Sequence, residues 1–198
     1  AGASPTISEV AFQGNSAAHA GGAVYTTGEC YVGVLSCVFR ENSAVGQGGA
    51  LCGLAGSWLV VMDTRLVANV CHVAGGAFYL ATGASADLVN ARLIGNSAET
   101  TGGGMNLASA GRCTATNCLF DGNIANSADG GALRSEANCT AHFYDCTIVA
   151  NRAATVGGFS SHGGDLELFN TILWGNVDDS GQGEAAQIFA GGAPLTVH

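Results

Sequence analysis

The chain repeats one short motif seven times, and this repetition restricts the possible folds more than any other feature of the sequence. In each copy an apolar residue stands three positions before an asparagine, as Phe39 does before Asn42. Successive asparagines are separated by 27 residues four times, then by 28 and by 25. They are Asn15, Asn42, Asn69, Asn96, Asn123, Asn151 and Asn176. A fixed period in this range is typical of a stacked solenoid rather than of one globular core.

In the first six copies, a glycine pair such as Gly48-Gly49 follows the asparagine and opens another short apolar run. Three runs with period-2 character fit into one repeat, and 27 residues leave no room for a helix of ordinary length. Like positions should therefore stack as parallel strands. Asparagines stacked at one inward corner can donate their side-chain amides from coil to coil, so they are predicted to form a structural ladder.

The bend before each Phe-x-x-Asn motif carries a residue suited to turns. The column reads Glu9, Ser36, Asp63, Asn90, Asn117, Asp145 and Asn170. Most of these residue types tolerate turn conformations or hydrogen-bond their own backbone, so a corner is predicted there. Because the period has no linker in it, residues 1–198 are predicted to form a single domain, a fragment of a longer secreted or surface protein.

Composition narrows the partners and the compartment. Six basic residues, all of them arginines, against fifteen acidic ones give a net charge of −9, which disfavours nucleic acid and anionic membrane surfaces as partners. No apolar stretch is long enough to span a bilayer, so this segment is not expected to insert into a membrane. The eight cysteines include no C-x-x-C pair and fit an oxidising compartment, which predicts an extracellular or cell-surface location.

Two segments carry a resemblance to a known family. The alternation of F-x-x-N with G-G-A-[hydrophobic], in 12–15, 21–24, 39–42 and 48–51, resembles the repeats of chlamydial polymorphic outer membrane proteins. The stretch 170–176, followed by 187–189, resembles the last coils of right-handed β-helix domains in large secreted proteins. The resemblance implies an all-β, right-handed parallel β-helix, of about seven coils of about 27 residues, used for adhesion, display or surface architecture.

No residue constellation predicts catalysis, a cofactor or a metal. The acidic residues are dispersed over different columns, there is no lysine to act as a base, and the pair Asp178-Asp179 is expected to be a solvated loop. His162 could be a site residue, although a turn position explains it better, and Ser160 and Ser161 have no partner in the sequence. The histidines do not share one column: they are His19, His72, His142, His162 and His198.

The cysteines suggest two alternatives. Cys37, Cys118 and Cys146 share an inward column, which favours small buried core residues. Cys118 and Cys146 would also be vertical neighbours and could form a disulfide. A second disulfide could join Cys113 to Cys139 on adjacent coils.

One outward column is unusually apolar. If the strand alternation is right, the side chains one position before the bend point outward, and they would form an interaction strip of Leu35, Met62, Val89, Tyr144 and Phe169. Such a strip indicates a surface that another domain or another molecule covers. Alternatively, the assignment of inward and outward strand positions is shifted by one residue, which would place this column in the core.

The sequence therefore predicts a non-catalytic extracellular structural or adhesive module with a protein partner. Self-assembly into a surface filament is a first alternative, and a carbohydrate-binding or carbohydrate-cleaving β-helix is a second, so a glycan partner stays possible. Asn138, in Asn138-Cys139-Thr140, is the single N-x-[ST] acceptor for glycosylation and lies where a turn is expected.

Overall fold

The protein is a parallel β-solenoid of about seven coils, as the repeat predicts. The computed structural model describes residues 4–181, 183–192 and 194–198. Every strand pair within its four sheets is parallel, and each strand pairs with the corresponding strand of the coils before and after it, as Ser85 does with Trp58 and with Arg112. The fold class predicted from the period is confirmed.

Four sheets, named A to D in the order in which the chain visits them, run along the stack. Sheet A contains Thr6–Ser8, Tyr31–Leu35, Trp58–Met62, Ser85–Val89, Arg112–Thr116, Thr140–Tyr144, Asp165–Phe169 and Leu195–Val197. Sheet B contains Ala11–Gln13, Val38–Arg40, Arg65–Val67, Arg92–Ile94, Leu119–Asp121, Thr147–Val149 and Ile172–Trp174.

Sheets C and D complete each coil. Sheet C contains Ser16–Ala17, Ser43–Ala44, Val70–Cys71, Ser97–Ala98, Ile124–Ala125 and Arg152–Ala153. Sheet D contains Val24–Thr26, Leu51–Gly53, Phe78–Leu80, Met105–Leu107, Leu133–Ser135, Phe159–His162 and Ile188–Gly191. The two-residue strands of sheet C add a fourth run to each coil, whereas the sequence predicts only three. One short helix, Glu184–Gln187, directly precedes the last strand of sheet D.

Turns separate the four sheets of each coil, and two of these corners lie on either side of sheet B. The predicted bend between sheets A and B has positive φ at every position of its column, from 47° at Asn170 to 58° at Glu9. The residue directly before each ladder asparagine also has positive φ, even where it is not glycine, as at Glu41 and Ala68. The sequence does not reveal this second corner, because glutamate and alanine rarely adopt such a conformation.

The interior is filled by the inward side chains of sheets A, B and D. The alternation predicted for sheet A is correct, since Val32 and Val34 are buried while Leu35 points outward. Aromatic rings fill the C-terminal half of the core, where Phe143 and Phe159 have ring centroids 4.5 Å apart. The column three residues before the ladder is fully buried in its central part, at Phe39, Leu66, Leu93, Phe120 and Ile148.

Each glycine of the pair is required for a different steric reason. The first glycine adopts positive φ, as Gly75 does at 74°, and a Cβ there would overlap the backbone of the strand that follows. The second glycine, such as Gly76, packs against the next coil, and a Cβ there would overlap the carbonyl oxygen of Gly103 and the backbone of Ser97. The pair thus allows adjacent coils to reach strand spacing at this corner.

This difference predicts unequal costs for two alanine substitutions. Gly76→Ala should lower the free energy of unfolding by roughly 3 kcal/mol or more, because the new methyl group overlaps backbone atoms that cannot move aside. Gly95→Ala should cost only about 1–2 kcal/mol, because nothing lies within 4 Å of its Cβ position and only the φ of 60° is strained. Urea unfolding followed by circular dichroism measures both, and equal losses would contradict the steric assignment.

Candidate functional site

The seven asparagines form one continuous hydrogen-bonded ladder inside the solenoid. Nδ2 of Asn69 donates to Oδ1 of Asn96 at 2.9 Å, and the backbone N–H of Asn69 donates to the same oxygen at 3.0 Å. Nδ2 of Asn69 also donates to the carbonyl oxygen of Phe39 at 3.0 Å. From Asn42 to Asn176 these residues are completely buried. The ladder therefore pairs polar groups of the corner that would otherwise be buried without partners.

A glutamine closes the ladder at its C-terminal end. Oε1 of Gln187, on the short helix, accepts from Nδ2 of Asn176 at 2.8 Å, and Nε2 of Gln187 donates back to the carbonyl oxygen of Asn176 at 2.8 Å. Gln187 thus takes the place of a next asparagine. Sequence reasoning missed it because it follows Asn176 by 11 residues instead of about 27.

The apolar column of sheet A lies on the outside. Leu35 pairs in register with Met62, and Met62 with Val89, so their side chains stack over three coils. Thr116 interrupts the column before Tyr144 and Phe169 continue it. All except the exposed Phe169 are half-buried, because each side chain covers part of its neighbours. The facing inferred from the alternation is therefore correct.

Two exposed aromatic side chains extend this column into a patch. Tyr31 and Trp58 are 45% and 48% exposed, lie at the start of their strands, and have ring centroids 5.9 Å apart. Nε1 of Trp58 donates to Oδ2 of Asp87 at 2.9 Å, which fixes the indole on the next coil. We call Tyr31, Leu35, Trp58, Met62 and Val89 the sheet A patch.

The cysteines form neither of the two expected bridges. All eight lie in the described part of the chain and are free thiols. Cys118 and Cys146 do stack on adjacent coils, with the backbone N–H of Cys118 3.4 Å from Sγ of Cys146. Side chains stacked in register keep their Cβ atoms roughly 4.8 Å apart, whereas a disulfide needs about 3.5–4.5 Å. Cys113 pairs in register with Ala141, so Cys139 does not stack on it.

The glycosylation acceptor occupies the expected kind of position. Asn138 is exposed in a tight turn with φ of 62°. Cys139 beside it is buried and free.

A cluster of polar side chains lies on the outer side of sheet D, near the C-terminal end. Oγ of Ser160 donates to Oδ2 of Asp129 at 2.9 Å, and Nε2 of His162 hydrogen-bonds the same oxygen. Nε of Arg134 lies 3.1 Å from Oδ1 of Asp129, although its N–H is not aligned for a hydrogen bond. The structure thus supplies the partners that the sequence could not assign to Ser160 and His162.

This cluster does not have the geometry of a hydrolytic relay. In such a relay the carboxylate and the serine contact opposite nitrogens of the imidazole. Here Ser160 lies 2.9 Å from Nε2 of His162, the same nitrogen that faces Asp129. Asp129 therefore holds the serine and the histidine in place and does not transmit a proton between them.

A small pocket adjoins the cluster. Its volume is about 240 Å³, and it lies between sheet D and the short helix. Its lining combines the polar residues with apolar ones: Asp129, Thr155, Val156, Ser160, His162, Ala185 and Phe189. The ring centroids of His162 and Phe189 are 5.3 Å apart. We call this cavity the sheet D pocket.

A larger groove of about 410 Å³ lies on the outer face of sheet B. Apolar side chains and two arginines, Arg40 and Arg65, line it. Arg65 pairs in register with Arg92, so like charges stand on neighbouring strands. Within residues 4–181, 183–192 and 194–198, no three His, Cys, Asp or Glu side chains are grouped to hold a metal ion.

Comparison with known proteins supports the resemblance seen in the motifs. The family model of the Chlamydia polymorphic membrane protein repeat matches residues 9–27 and 36–54. These two coils carry the polymorphic membrane protein repeat. The matched segments contain Asn15 and Asn42 of the ladder and the glycine pairs that follow them. Together with the solenoid, the match is consistent with a parallel β-helix of this repeat type.

Neither a curated protein nor a solved structure gives a significant match to the chain. In the part of the chain that the structure describes, no helix has the length and apolar character needed to cross a membrane.

The burial of the thiols predicts slow chemical modification. Burial raises the pKa of Cys71 to about 11 and that of Cys52 to about 12, and it raises the pKa of Cys113 further. At pH 8 only about 10⁻⁴ of Cys52 is thiolate, and its reactivity should increase as the pH rises towards its pKa. In the folded protein the half-buried Cys30 should therefore react first with iodoacetamide.

Mass spectrometry after timed labelling measures this order. Unfolding in urea without reductant should make all eight cysteines reactive. Fewer than eight labelled thiols would reveal a disulfide, and rapid labelling of Cys52 in the folded protein would contradict its burial.

Proposed function

We propose that this solenoid is a non-catalytic structural and adhesive module at a cell surface, and that it binds a partner protein through the sheet A patch. The observation that carries the proposal is the outward, in-register stacking of Leu35, Met62 and Val89 beside the exposed rings of Tyr31 and Trp58. A contiguous apolar surface of this kind marks an interaction site more often than scattered apolar residues do.

The composition of the patch is that of an interface centre. Aromatic residues and methionine are enriched in the buried centres of protein interfaces, and tryptophan and tyrosine contribute a large share of the binding energy. Trp58 is held by its hydrogen bond to Asp87, so little side-chain freedom would be lost when a partner covers it.

Charge favours a partner that is apolar at its centre and basic at its edge. The protein carries a net charge of −9, and acidic side chains lie on the same face at Asp87, Asp165 and Glu167. Tyr144 donates a hydrogen bond of 2.9 Å to Glu167, and this bond raises the pKa of the tyrosine. Like charges would repel an acidic partner from this region.

The ladder makes the patch rigid. Strands of sheet A are held in register over successive coils by parallel pairing, and the asparagines fix the opposite corner of each coil. A surface that is already ordered loses less conformational entropy on binding than a flexible loop does. In the alternative, a second copy of this chain covers the same patch, and repeated contacts of this kind build a filament.

A paired substitution tests the role of the patch. The double variant Trp58→Ser, Met62→Ser should bind cells at least about tenfold more weakly than the wild type, because it removes an aromatic anchor and a second apolar side chain from the same outward strand face. Fluorescently labelled protein is titrated onto a panel of cultured cells, with and without trypsin treatment of the cell surface. Binding that trypsin removes identifies a protein partner.

The matched control is Val70→Ser, Ile124→Ser, which alters two exposed apolar residues of sheet C, 45% and 37% exposed. This control should bind as the wild type does. Light scattering across a concentration series separates the alternatives, since rods longer than one molecule would favour the filament. Cell binding that is unchanged in the Trp58→Ser, Met62→Ser variant would overturn the proposal.

A further inference from the structure

The sheet D pocket is a built cavity that the sheet A patch does not involve. Three separate segments form it: the loop that carries Asp129, the strand that carries Ser160 and His162, and the short helix with the strand of Phe189. Its volume of about 240 Å³ is below the 300–1,000 Å³ typical of sites for drug-sized ligands. One ring-sized group fits a cavity of this size better than an extended chain does.

The polar wall of the pocket is largely buried, and two carboxylates there share one guanidinium. Asp129 is only 9% exposed and Ser160 only 1%, so both are ordered parts of the structure. Arg134 compensates the charge of Asp129 at 3.1 Å, and its NH1 lies 3.6 Å from the more exposed Glu136. Oδ1 of Asp129 nevertheless has no hydrogen bond from the described residues. That oxygen is itself closed to solvent, so it belongs to the fixed part of the wall and does not face a ligand. Two carboxylates against one guanidinium disfavour an anionic ligand.

His162 presents a second polar atom to the pocket. Its Nε2 donates to the carboxylate of Asp129, so Nδ1 is left as an acceptor in the neutral ring. The side chain of His162 is 40% exposed, and the hydroxyl of Thr155 lies at the same opening. The wall therefore offers an acceptor at Nδ1 of His162 and a hydroxyl at Thr155 that can donate or accept. Ligand hydroxyls need partners of both kinds.

Apolar side chains complete the lining. Phe189 exposes 42% of its surface, and Val156 and Ala185 lie beside it. An exposed phenyl ring in a pocket provides a flat surface on which an apolar ring face can pack. The pocket thus combines one apolar wall with one hydroxyl-compatible wall.

We propose that the sheet D pocket binds a single neutral sugar ring of a glycan. The C–H face of the sugar packs on Phe189, and its hydroxyls hydrogen-bond the more exposed His162 and Thr155, while the buried Asp129 and Ser160 hold His162 in place. A neutral pyranose satisfies both walls at once, whereas an anionic sugar meets the carboxylates of Asp129 and Glu136. This proposal is independent of the sheet A patch, which lies on another sheet.

The test uses the full chain and named sugars. Glucose, galactose, mannose, N-acetylglucosamine and N-acetylgalactosamine are titrated to about 50 mM into ¹⁵N-labelled protein, because a single ring should bind with a dissociation constant of about 1 mM or above. Glucuronic acid and glucosamine serve as charged probes. At least one neutral sugar should shift the amide signals of Thr155, Ser160, His162 and Phe189.

Two phenylalanine variants provide a matched comparison. Phe189→Ala should weaken the binding of that sugar by at least tenfold, and Phe169→Ala, which removes an equally exposed ring on sheet A, should leave it unchanged. Asp129→Asn should also weaken binding, provided that the spectrum shows a folded protein. The absence of shifts with every neutral sugar would overturn the proposal. Equal effects of the two phenylalanine variants, or stronger binding of a charged probe, would also overturn it.

Discussion

The structure depends on how the solenoid pairs the polar groups of its buried asparagine corner. A coil turns sharply there, with positive φ just before each asparagine, and the corner is closed to water. Asn96 makes four hydrogen bonds: its oxygen accepts two from Asn69, and its amide donates to Leu66 and to Asn123. Since a buried polar group without a partner costs about 1–3 kcal/mol, the ladder makes tight stacking possible.

The frame of the fold could be predicted because one period imposes the same environment on each column. The apolar columns, the asparagine ladder and the bend at Asp63 and its equivalents all follow from that repetition, and the structure confirms their positions. Glu41 and Ala68 adopt positive φ against their intrinsic preference, because the stacked neighbours determine the corner. Nothing in their residue type could have indicated this.

The candidate sites were less predictable, since they depend on departures from the repeat. Asp129 and His162 are 33 residues apart and meet because the strand of His162 pairs in register with the strand of Arg134 on the preceding coil. Gln187 replaces a ladder asparagine from a helix outside the period. The two expected disulfides are not formed in the structure and stay predictions that the labelling experiment tests. The same frame thus carries an apolar patch on sheet A and a polar pocket on sheet D.

The free energy of unfolding of Asn96→Ala tests the role of the ladder most directly. The substitution removes four buried side-chain hydrogen bonds, so it should lower stability by about 3–5 kcal/mol in urea unfolding. The control is Asn90→Gly, which removes an exposed asparagine of the same coil whose Nδ2 donates to Asp63 at 2.9 Å. Glycine tolerates the φ of 54° at that corner, so the loss there should stay below about 1 kcal/mol. Similar small losses for both variants would show that packing alone holds the coils together and would contradict the central role of the ladder.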